Sequence, residues 1–126
     1  MTVGIASAAA DALLNLYRGT SITAPSGVYV KLHTGDPGSA GTSNASAVTT
    51  RNQATFNAPS SNAITLSALS TYSMTSTETI THISLWDAST SGNFLRSAAL
   101  SASVAVVNGS TLQIVTLTVS FTPIAA

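Results

Sequence analysis

Two periodicities organise the chain. From Val3 to Arg18 the apolar residues Ile5, Ala9, Leu13, Leu16 and Tyr17 recur at steps of four, four, three and one, which places them on one stripe of an α-helix. Thr2 is the expected N-cap and Gly19 the left-handed C-terminal stop. The helix is expected to cover one end of a β core; the alternative is a docking helix for a partner subunit. From Val28 the period drops to two: Val28, Val30 and Leu32 share one strand face, and Tyr29, Lys31 and His33 the other. This half-buried strand ends in Thr34-Gly35-Asp36-Pro37-Gly38, where Pro37 presets φ for a turn and Gly38 accepts positive φ. The small polar residues from Ser39 to Thr49 predict a long surface loop.

Strands are expected next at Arg51 to Phe56 and Ala63 to Leu69, and then at Thr79 to Asp87, which is β-branched or aromatic at most positions. Apolar groups on both faces of that third segment predict a central strand. Asp87 to Asn93 makes a turn into a strand from Phe94 to Leu100. Asn108-Gly109, between Val104 to Val107 and Ser110 to Ile114, predicts a type I′ hairpin. The closing run alternates, with Val115, Leu117, Val119 and Phe121 expected inward. Together the pattern predicts one mainly β domain over residues 1–126: an antiparallel sandwich or small barrel over about 27–122, preceded by one helix over about 3–18. Asp36, Pro37, Gly38, Asn108 and Gly109 are its structural turn residues.

Charge changes the picture most. Only 6% of the residues are Asp, Glu, Lys or Arg, where soluble domains carry roughly 25%. Four basic and four acidic side chains cancel, so no electrostatic footprint exists for nucleic acid or an anionic membrane. Little like-charge repulsion opposes association, which predicts a homo-oligomer, a trimer or dimer, with the helix and the 34–49 loop contributing contacts. No apolar run approaches the length of a membrane span, and the N-terminus has no basic region of a signal peptide, so it is expected to be mature sequence. The absence of cysteine removes disulfides and thiolate chemistry.

Candidate chemistry is thin. The bases are His33 and His82, and the acids are Asp11, Asp36, Glu78 and Asp87. No Gly-x-Ser-x-Gly elbow, paired carboxylates or metal-ligand spacing joins them. Catalytic, cofactor-binding and metal-ligating residues are therefore expected to be none. His33 is expected on the exposed strand face, and His82 as a hydrogen-bonded, partly buried ring and the more sensitive of the two to substitution. Trp86 is expected in the core rather than on a sugar-binding platform.

The segment Val28 to Gly38, containing Leu32-His33-Thr34-Gly35-Asp36-Pro37-Gly38, resembles a family of small tailed-phage structural proteins. So do Ile80 to Ala88 and the Ser91 to Leu95 turn. The resemblance covers almost the whole chain. It departs at Ala45, where relatives often carry an acidic residue, which argues against a loop-borne cation site. It implies a non-enzymatic virion protein on the particle exterior, made in the bacterial cytoplasm and bound to major capsid or tail proteins. The favoured expectation is a capsid decoration protein stabilising the head. The alternatives are a tail-fibre or minor tail protein contacting the host surface, or a carbohydrate-binding, adhesin-like module.

Overall fold

The computed structural model describes residues 3–122. The fold is mainly β, with one N-terminal helix, as the periodicities predict. Helix α1 (Ser7–Leu14) is followed by β1 (Val28–His33), β2 (Asn52–Phe56), β3 (Ala63–Leu69), β4 (Tyr72–Ser73), β5 (Glu78–Trp86), β6 (Phe94–Val106), β7 (Thr111–Leu112) and β8 (Thr118–Ser120). Six strands form a curled antiparallel sheet in the order β6-β5-β1-β2-β3-β8, and β4 pairs with β7 in a second, two-stranded sheet. Strand β5 is interior, between β1 and β6. Its residues Ile83 to Trp86 are all buried, which explains its apolar residues on both faces.

Side chains of both sheets meet in one core, where Val30 and Leu32 of β1 and Ile80 and Ile83 of β5 pack with Tyr72 and Leu112 of the small sheet. The Tyr72 hydroxyl donates to Val30 O at 2.6 Å, satisfying a buried phenol. Burial pushes that phenol well above the ordinary range, with a backbone bond from Asn52 opposing the shift.

Three sequence expectations are corrected. The helix begins later than Val3, after Ala6, which offers no side-chain cap; the proposed cap, Thr2, lies outside the described residues. In place of a cap, Ala6 N–H donates to Leu95 O at 2.8 Å and Ile5 bridges to Arg96, which ties the helix start to the edge of β6. The helix closes through tighter turns to Gly19 (φ 68), where Thr20 N–H reaches Asn15 O and Gly19 N–H reaches Leu16 O, the paired bonds of a Schellman stop. Second, Asn108 and Gly109 do form a turn, closed by Ser110 N–H to Val107 O at 3.0 Å. Only Gly109 has positive φ (88), which is the type II pattern and not type I′. The strands on either side do not pair with each other, because β7 leaves for β4. Third, the closing run is only partly inward: Leu117 and Val119 are half-buried, while Val115 and Phe121 are exposed. Pairing there is limited to the three residues of β8.

Candidate functional site

The polar residues that could support chemistry gather on the sheet face opposite Val30 and Leu32. His33 ends β1, and alternation alone places it outward. In the structure it is 0% exposed, because the 34–49 segment folds back over it. Thr34 N–H donates to Asn44 O at 2.8 Å, Ser46 N–H to Leu32 O at 3.1 Å, and His33 bridges to Ala45. The expected flexible surface loop is instead a hydrogen-bonded cover, with Pro37, Gly38, Gly41, Ser46 and Val48 buried.

The turn residues build this cover. Asp36 Oδ1 accepts from Gly38 N–H at 2.7 Å, and Asn44, itself at φ 51, donates its amide to Asp36 O at 2.9 Å. Ser43 N–H reaches Pro37 O at 2.9 Å. Gly41 has φ 71 and lies against the Phe94 ring, where a Cβ would collide, so its lack of a side chain is required twice over. From β5, Glu78 accepts from the Ser46 hydroxyl and, at 3.2 Å, from Ala47 N–H.

Beneath the cover, the histidine is fully partnered. Its Nδ1 lies 2.8 Å from Ser43 O, so that nitrogen carries the proton and donates it. Nε2 therefore accepts from the Ser84 hydroxyl at 2.7 Å, and Ser84 Oγ in turn accepts from Trp86 Nε1–H at 2.8 Å. Burial is the main reason the imidazole is held below its ordinary value of 6.5. A Ser–His pair is thus present, yet it cannot act on a dissolved substrate: Ser84 is fully buried and the third partner is a carbonyl, not a carboxylate. His82 stands directly across the ladder from His33. It is half-buried and bonded to Thr81 Oγ1 at 2.7 Å, as expected, but the more embedded ring is His33, which reverses the expected order of burial. Both His33 nitrogens are engaged, and among the described residues no group of three or more side chains is placed to hold a metal ion.

The other singled-out residues are also committed to structure. Trp86 is buried, 5.5 Å from Phe94, with the Arg51 guanidinium 3.8 Å from its ring centroid. Arg51 also donates to Ala88 O and Ser91 O. Asp87 closes the 87–93 turn by accepting from Asn93 N–H at 2.6 Å and its amide at 2.8 Å, bonds that hold its carboxyl below the usual range. Sequence reasoning passed over Ser43, Ser84 and Arg51. Ser84 left a signal: one hydroxyl among the apolar residues of an interior strand requires a partner.

The opposite situation holds at the helix. No residue of α1 is buried. Leu16 is 67% and Tyr17 87% exposed. An open apolar groove runs between Ile5, Ala9 and Leu13 on one side and Val28, Val119 and Phe121 on the other. The helix therefore lies at one end of the core without sealing it.

A closed polar interior and an uncovered apolar end define a structural β module of the packing kind. Residues 4–122 match the family model described as Podophage GP4 fiber I protein gp80, and the chain belongs to that family of phage fibre proteins. It is accordingly a virion structural component that works with other virion proteins. The family fits the tail-fibre alternative better than the head-decoration expectation. No curated protein matches the chain.

Proposed function

We propose that the chain is a non-enzymatic module of the tail-fibre apparatus that folds as one unit on the particle exterior and joins neighbouring tail proteins. The observation that carries this reading is the fibre-family match over residues 4–122. Two features support it. The Ser84–His33 pair is sealed and bound to a carbonyl, and Leu14, Leu16 and Tyr17 stand in solvent at and after the end of α1, the kind of exposed apolar surface that marks an interaction site. The surface around Leu16 and Tyr17 is the contact with a tail neighbour.

Labelling purified particles with an antibody to this chain tests the assignment. The label should fall on the tail; label spread over the head lattice would return the head-decoration reading.

A further inference from the structure

Between β7 and β8 the chain runs through residues 113–117, Gln-Ile-Val-Thr-Leu, a sequence rich in strand formers. These residues belong to no ladder. Leu117 O accepts from Leu66 N–H at 2.8 Å, but the backbone groups of Gln113, Ile114, Val115 and Thr116 have no backbone partner among the described residues. Val115 is 74% exposed. The segment lines a cleft of about 530 Å³ that reaches Leu32 and Ile83 in the core and is bounded by β6 from Ala98 to Val104.

The two unpaired edges at this cleft differ. Strand β6 ends the sheet, but its residues 100–103 bulge opposite Thr81, a distortion that spoils pairing with another chain. Residues 113–117 have no charge and no proline, and no charged side chain follows Arg96 anywhere in the sequence. Free monomers ordinarily guard such an edge with charge or proline.

We propose that a second copy of this chain covers the segment, pairing with it antiparallel about a two-fold axis at Val115. That register sets Gln113 against Leu117, Ile114 against Thr116 and Val115 against itself. Antiparallel self-pairing sets the residue on the axis against its own copy, so a charge there would meet a like charge; Val115 and its neighbours carry none, so self-pairing meets no such penalty. The contact is isologous, each copy completing the other's backbone bonds. A five-residue ladder buries less than the roughly 800 Å² per partner of a standard interface. Val104 and Ile114 in the same cleft add apolar area, and the dimer is concentration-dependent.

The absence of cysteine makes a direct test available. Opposite residues of an antiparallel pair have Cα atoms about 4.5–5.5 Å apart, within disulfide reach. V115C should therefore form a covalent dimer under mild oxidation at concentrations where Y17C, a comparably exposed control on the segment after α1, stays monomeric. V115K should halve the mass seen by light scattering and should melt as the wild type does at dilutions where the wild type is monomeric, because in the single chain the side chain already stands in solvent. A monomeric wild type, a wild-type dimer indifferent to V115K, or V115C cross-linking no faster than Y17C would overturn the proposal. It rests on unpaired backbone and not on the fibre reading, so the location of the chain in the particle does not bear on it.

Discussion

The face beneath the 34–49 cover and the end beside α1 invert the usual relation between polarity and burial. His33, Ser84 and Trp86 carry polar atoms and are buried; Leu16 and Phe121 are apolar and stand in solvent, as does the ring of Tyr17. Each polar atom of the first group has a partner at 2.7–2.8 Å, which offsets the cost of leaving water. Nothing within the described chain covers the second group. The lesson is that the polar atoms buried here come with partners, Asp36 Oδ2 excepted, while the apolar residues left outside are the surface proposed for a neighbour.

The comparison is broken most severely at His33. His33→Ala leaves the Ser43 carbonyl without its donor and the Ser84 hydroxyl without its acceptor, and opens a cavity. It should cost roughly 3 kcal/mol, read as a fall in melting temperature of roughly 10 °C. His82→Ala should cost clearly less, since that ring is only half-buried. Equal losses at the two positions would show that the buried network contributes nothing special.

Acid should weaken the same face. The folded state holds His33 neutral, with its proton affinity lowered by burial, whereas the unfolded chain takes up a proton below about 6.5. The unfolded state binds more protons in the window below that value, so stability falls as pH drops through it, down to the folded pKa. A protonated ring also points a second donor at Ser84 Oγ, which already accepts from Trp86. Denaturant titrations across this range should show the slope in the wild type and its absence in His33→Ala. Asp87, whose folded carboxyl is depressed, acts in a separate window below 3.8, where its stabilising bonds are lost as pH falls through its folded pKa.

A smaller effect is expected at Gly109. Its φ of 88 is unfavourable for a β-branched residue, although a Cβ there would meet no atom within 4 Å. Gly109→Val should therefore cost about 1 kcal/mol through backbone strain alone. An unchanged melting curve would remove the turn from the stabilising elements.

Much of the architecture was legible from local pattern. Strands β1 and β3 occupy the segments expected for them, and β5 is displaced by one residue, because β-branched alternation is read within a few positions. What stayed hidden depends on partners distant in sequence. Whether His33 faces water is decided by a loop that returns ten residues later, and whether the strand after the Asn108-Gly109 turn pairs back on β6 or departs is decided by β4, some forty residues earlier. The helix itself was only half legible: of its expected stripe, Ala9 and Leu13 lie in α1, while Ile5 precedes it and Leu16 and Tyr17 follow it in solvent, because spacing cannot tell where a helix stops or whether a groove is filled.

Substitutions at that end sharpen the comparison by doing least to the fold. Leu16→Ser and Tyr17→Ser should change stability by no more than about 0.5 kcal/mol, because neither side chain is buried. The double variant, assembled into particles, then shows whether this exposed end attaches the chain to the tail. A wild-type melting temperature in isolation is expected together with loss of the chain from purified tails; wild-type occupancy of the tails by this variant would show that Leu16 and Tyr17 do not attach the chain.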